Sequence, residues 1–129
     1  MRVLVCGTRH LDAENIDALW TIRERLNELP RNAVVIHGDA RGVDRYAADH
    51  QFRRGGTAEA FPADWATFGK RAGPLRNQRM LDEGRPDLVL AFHTDPGLGL
   101  ATRDMVRRAR AAGVPVEIIM LSEPKGGGA

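Results

Sequence analysis

The chain has 129 residues, 43% of them hydrophobic and 28% charged, with a formal net charge of only +2. That is enough chain for one domain with a buried core and too little for two, and the balance excludes both the disordered and the membrane class. Met1-Arg2 runs straight into Val3-Leu4-Val5-Cys6, an apolar stretch too short for a secretory core or a membrane span, so a cytoplasmic location is expected.

Val3 to Cys6 is the first expected strand, and Cys6, the sole cysteine, is expected to be a buried, inert thiol that can form neither an internal disulfide nor a cysteine zinc site. Asp12 reads as the N-cap of a helix carrying Ile16, Leu19, Trp20, Leu26 and Leu29 mostly on one face and closed by Pro30. Ala33 to His37 is the second strand. A second helix begins with the stripe Val43, Tyr46 and Ala47, and ends in Arg53-Arg54 followed by Gly55-Gly56. Ala58 to Phe61 is the third strand, and a long segment then leads to a helix starting near Pro74 that turns Leu75, Met80 and Leu81 inward. Leu88 to Phe92 is the fourth strand. A last helix places Met105, Val106, Ala109 and Ala112 on one face and stops at Gly113 before Pro115, ahead of the fifth strand, Val116 to Leu121. The domain is expected over residues 1–121 and a disordered tail over 122–129.

The strands start roughly 24 to 31 residues apart, the length of a repeated strand-loop-helix unit rather than of a hairpin. The runs beginning at Val3, Val34 and Leu88 are continuously apolar, as strands covered on both faces are. The fold class predicted is α/β, a single Rossmann-like doubly wound parallel sheet of about five strands. Right-handed crossovers bring its strand-to-helix loops to one edge, where ligands bind.

Those loops hold the chemistry. Gly7-Thr8-Arg9 follows the first strand and Gly38-Asp39-Ala40-Arg41-Gly42-Val43-Asp44 follows the second. Each reads either as a tight turn or as an anion cradle of free amides at a helix start. Neither matches the dinucleotide fingerprint or the P-loop. Between strands three and four, Trp65 and Phe68 read as base-stacking platforms or as core caps, Lys70 and Arg71 as phosphate contacts, and Arg76 as a bidentate donor at a helix start. After strand four, Thr102 reads as an N-cap or a phosphate ligand. Asp104 reads as a first-turn acid, and the arginines at 107, 108 and 110 as a solvated face. His37 and His93 end their strands as acid/base or structural groups. Because His10, His37, His50 and His93 lack ligand spacing, neither a metal nor another cofactor is expected.

Taken together, Val3 through Arg9, Val35 through Asp44, Phe61-Pro62-Ala63-Asp64-Trp65, Gly73-Pro74-Leu75-Arg76-Asn77-Gln78-Arg79-Met80 and Asp104 through Ala109 resemble the YspA-like branch of the SLOG superfamily, over residues 2 to about 120. That superfamily is named for its likeness to the Smf/DNA-processing proteins and the "lonely guy" phosphoribohydrolases. The resemblance implies a Rossmann-like domain binding a nucleotide or nucleotide-derived ligand, in a group where some members sense and others cleave N-glycosidic bonds. It also implies pairing into a homodimer. The phosphoribohydrolases use an Arg-x-x-x-Met stretch, which Arg76 and Met80 fit, and a Pro-Gly-Gly-x-Gly-Thr-x-x-Glu loop. In that loop Thr102 keeps the threonine place, but Ala101 replaces a glycine and Met105 the glutamate. Without that carboxylate, cleavage needs another acid, for which Asp104, Asp39 and His93 are the candidates beside Arg76. The leading expectation is therefore binding. Gly7, Thr8, Arg9, Gly38, Arg41, Gly42, Arg76 and Thr102 surround the phosphate with Lys70, Asp39 and Asp44 face ribose hydroxyls, and Trp65 faces the base. A nucleoside-monophosphate phosphoribohydrolase and a nucleic-acid-binding module are the alternatives.

Overall fold

A computed structural model describes residues 1–123; residues 124–129 of the expected tail lie outside the described residues. The apolar runs form β1 (Arg2–Gly7), β2 (Val34–His37), β3 (Thr57–Ala60), β4 (Leu88–His93) and β5 (Val116–Met120), all parallel in the order β3-β2-β1-β4-β5. Helices α1 (Ile16–Asn27), α2 (Val43–Arg53), α4 (Ala72–Asp82) and α5 (Gly99–Ala111) cross between them. A short helix α3 (Trp65–Phe68) and one 3-10 turn (Gly69–Arg71) precede α4. This is the five-stranded α/β Rossmann-like architecture expected from the run spacing.

Side chains alternate across a strand, so β1 sends Val3 and Val5 to one face and Leu4 and Cys6 to the other. The first pair joins Val35, Leu90 and Phe92 under α1 and α2. The second joins Ile36, Val89 and Ala91 under α4 and α5. Both faces being covered is why these strands read as unbroken apolar runs. Cys6 is buried, and burial pushes its thiol well above the usual range, Asp44 adding to the effect. No helix of the described residues is long and apolar enough to cross a membrane.

Several helix details differ from the sequence reading. In α1 the buried stripe is Ala18, Ile22 and Leu26, whereas Ile16 and Trp20 are 66% and 58% exposed, so the core-facing side lies a fraction of a turn away from the bulkiest residues. The N-cap is Asn15, whose Oδ1 accepts from Ala18 N at 3.2 Å, while Asp12 closes a local turn by accepting from Glu14 N. Asn15 Nδ2 also donates to Ser122 O at 2.8 Å, tying down the first residue of the expected tail. Helix α4 starts two residues before Pro74, a placement its missing N–H allows because the first turn has no internal acceptors. Its inward rows are Ala72-Arg76-Met80 and Gly73-Asn77-Leu81, and Leu75 points outward. Helix α5 begins at Gly99, after Leu98 in a left-handed conformation. Thr102 is therefore a buried interior residue rather than a cap, and Asp104 belongs to the second turn. Ala112 is exposed beyond the end of α5.

Candidate functional site

At the carboxyl edge of β1, β2 and β3 the loops enclose a cavity of about 300 Å³, the lower end of the range for small-molecule sites. Arg9 reaches it from the loop after β1, Arg41 and Arg45 from the β2–α2 segment, and Arg76 from α4. Asp39 is the carboxylate among the lining residues. Pro62, Ala63 and Trp65 make the opposite wall, where Trp65 is 53% exposed.

Arg76 reaches the cavity from the buried side of α4. The side chain is 7% exposed: Nη1 donates to Gly38 O at 2.6 Å and Nε to Asn77 Oδ1 at 3.0 Å. Gly38 is glycine for this reason, since a Cβ there would run into the Arg76 guanidinium. Burial lowers the Arg76 pKa and Asp44 works against that, but a guanidinium keeps its charge across the accessible pH range.

The amides expected to cradle phosphate are mostly taken by the protein itself. Asp44 Oδ2 accepts from Gly38 N at 2.9 Å and Ala40 N at 3.4 Å, His37 Nδ1 accepts from Asp39 N at 3.0 Å, and Thr8 O accepts from Val43 N at 3.0 Å. Asp44 is thus a buried brace under the loop, 5% exposed, with its pKa raised to about 6 by burial against the pull of the amides and of Arg76. Burial likewise lowers His37, which takes the Asp39 amide hydrogen on an unprotonated Nδ1. Asp39 adopts a left-handed φ of 56°, held by that bond and by Arg45 Nε, which donates to its carbonyl at 3.2 Å and its carboxylate at 3.4 Å.

Of the residues singled out in the sequence, Arg9, Gly38, Asp39, Arg41, Trp65 and Arg76 line the cavity. Asp44 and Gly42 support the β2–α2 loop from behind. Gly7 and Thr8 are packing positions: a Cβ at Gly7 would meet the Phe92 carbonyl, and Thr8, 4% exposed, donates its N–H to that same oxygen. Lys70 is exposed on the 3-10 turn, and neither it nor Thr102, His93 or Asp104 lines the cavity. The loop after β4 is thus replaced in the lining by the segment after β3. His93 is half-buried and pushed down by burial, its Nδ1 accepting from Asp95 N. Asp104 is held below the usual carboxylate range: burial opposes this, but hydrogen bonds from Asn77, Arg108 and Arg107 prevail. Sequence reasoning passed over Arg45, whose signal was a second arginine in the first turn of the helix that follows Arg41, and over Asn77. Among the described residues no three of His, Cys, Asp and Glu gather as a metal cluster.

A model of the YspA, cpYpsA-related SLOG family matches residues 1–68. The gene 61 protein of Mycobacterium phage D29 is 38% identical over 121 residues, covering 89% of this chain and 93% of that protein. Among solved structures, DNA processing protein A of Streptococcus pneumoniae superposes with a TM-score of 0.70 at 18% identity. The match takes in 97% of this chain and 52% of that one, so the chain spans about half its length. At that identity the likeness is one of fold.

Proposed function

The chain belongs to the YspA, cpYpsA-related SLOG family, and from that premise we propose that its cavity binds a nucleotide or nucleotide-derived, phosphate-bearing ligand in the cytoplasm. The observation that carries this reading is the convergence of Arg9, Arg41, Arg45 and Arg76 on one cavity with Trp65 on its wall. Guanidinium groups suit phosphate oxygens through paired, charge-assisted hydrogen bonds, and an exposed indole offers a base a stacking face. Arg76 is the anchor, already desolvated and held in place; the three exposed arginines at the rim adapt around it.

The state of two candidate acids supports binding over cleavage. Asp39 is occupied by Arg45, and Asp104 is turned toward α4 with its proton held off by three donors. A phosphoribohydrolase would release free base from nucleoside monophosphates at high protein concentration, and chromatographic detection of that base would overturn the binding reading. The test of binding itself is calorimetry with AMP, ADP and GDP. Saturable binding is expected, with Arg76→Ala weakening it about 10- to 100-fold, the worth of a charged hydrogen-bond donor. No heat from any of the three, or an unaffected Arg76→Ala, removes the proposal. A single-stranded nucleic acid is the second reading, favoured by Trp65 and Phe68 standing exposed beside Lys70 and Arg71. It requires retention of single-stranded DNA at low salt that fades as salt rises.

A further inference from the structure

Asp104 lies outside the cavity yet is joined to its anchoring arginine through one side chain. Arg76 and Asn77 are adjacent on α4, and neighbours on a helix point about 100° apart rather than toward each other. Their 3.0 Å bond from Arg76 Nε to Asn77 Oδ1 therefore depends on the Asn77 amide being held from elsewhere. It is held from α5: Asn77 Nδ2 donates to Asp104 Oδ2 at 3.0 Å and to Ala101 O at 3.2 Å. Asp104 Oδ2 in turn accepts from Arg108 Nε at 2.8 Å, and Arg108 Nη1 returns to α4 by donating to Gln78 Oε1 at 3.0 Å.

The chemistry allows Asn77 only one orientation. Its oxygen faces a guanidinium donor and its amide nitrogen faces a carboxylate and a carbonyl; turning the amide over would place donor against donor and acceptor against acceptor. At 3% exposure there is no water-filled alternative within easy reach. With Gly38 O fixing Nη1, the guanidinium plane is pinned at two points, one from the loop after β2 and one relayed from α5.

We propose that Asn77 and Asp104 are positioning residues that aim Arg76 into the cavity, with Asp104 serving as the anchor of the Asn77 amide and not as a proton donor. The role rests on the reading of Arg76 as a phosphate ligand, and its test separates the two. In the unliganded protein, the arginine Nε–H signal that disappears in Arg76→Lys identifies Arg76 in a proton–nitrogen NMR spectrum. Asn77→Ala is expected to move that signal and speed its exchange with water. Asp104→Ala is expected to do so in part, and Asp104→Asn, which keeps an oxygen for Asn77 Nδ2, to restore it. In calorimetry with ADP, Asn77→Ala is expected to weaken binding about tenfold and to add nothing in the Arg76→Lys background. An Arg76 signal unmoved in both alanine variants overturns the positioning role, as does an equal loss of ADP affinity in both backgrounds. If Asn77→Ala does not fold, the Asp104→Ala and Asp104→Asn pair decides by the same signal. Failure of the wild type to bind ADP counts against the phosphate reading and leaves the NMR result to judge the strut.

Discussion

Gly42 and Asp44 show how the β2–α2 loop is held before any ligand arrives. Gly42 has φ of 83°, and a Cβ there would strike the Thr8 carbonyl and crowd Arg9, both backbone. Gly42→Ala is therefore expected to cost about 3 kcal/mol or more, from backbone strain and collision together, read as a lowered urea midpoint. Asp44 predicts a pH effect whose sign follows from its elevation. A carboxyl raised from 3.8 to about 6 binds its proton more tightly in the fold than in the unfolded chain. Its contribution to stability is greatest below the unfolded value and is lost as pH rises through about 6, a change on the order of 3 kcal/mol. Asp104, depressed in the fold, slopes the other way, so the clean observable is the difference between wild type and Asp44→Asn. Urea unfolding from pH 4 to pH 7 should show the wild type losing ground to the variant; a constant difference would mean that Asp44 ionises at its ordinary pH.

At the scale of elements, the strands were legible because a strand covered on both faces leaves a pattern no loop imitates, as in Val3 to Cys6 and Leu88 to Phe92. Helix faces were less so. In α1 the core takes Ala18 beside Ile22 and Leu26, and an alanine that packs close to the sheet carries little weight in a reading that follows the largest apolar residues. In α4 the inward rows contain Arg76 and Asn77, so hydrophobic periodicity pointed to Leu75 instead. The short α3 was hidden because four residues give no period, although Asp64 accepting from Thr67 N at 3.1 Å is an ordinary cap. The cap of α1 gives the element-scale prediction. Asn15 serves Ala18 N with its oxygen and Ser122 O with its nitrogen, so it starts α1 and fastens the chain that leaves β5. Asn15→Ala is expected to lower stability by about 1 to 2 kcal/mol. Asn15→Ser, whose hydroxyl can accept from Ala18 N but puts no acceptor against Ser122 O, should recover most of that loss in chemical denaturation, and no recovery would assign the effect to the Ser122 bond.

For the molecule as a whole, a net charge of +2 conceals a local excess of three positive charges at the cavity, where four arginines meet one aspartate. Parallel strands put every strand-to-helix loop at one edge, which is why Arg9, Arg41 and Arg76 could be grouped from the chain; the order β3-β2-β1-β4-β5, which the chain does not spell out, sets β1, β2 and β3 side by side and adds Arg45 to the group. The sequence pointed to six residues that line the cavity and also to the loop after β4, which lies beside the β1 loop at the same edge but does not line the cavity. The arginines differ in how much water surrounds them. Arg9, Arg41 and Arg45 are exposed, and mobile ions screen exposed charges over about 8 Å at physiological salt, whereas a desolvated group is screened far less. Raising sodium chloride from about 0.05 to about 0.5 M should therefore weaken ADP binding several-fold, and the rim and the anchor should part company. Arg9→Ala and Arg41→Ala are expected to cost much at low salt and little at high salt, while the penalty of Arg76→Ala stays nearly constant. Calorimetric affinities at the two salt concentrations decide this. Equal salt dependence for all three variants would mean that Arg76 acts as one more surface charge and not as a buried, directed donor.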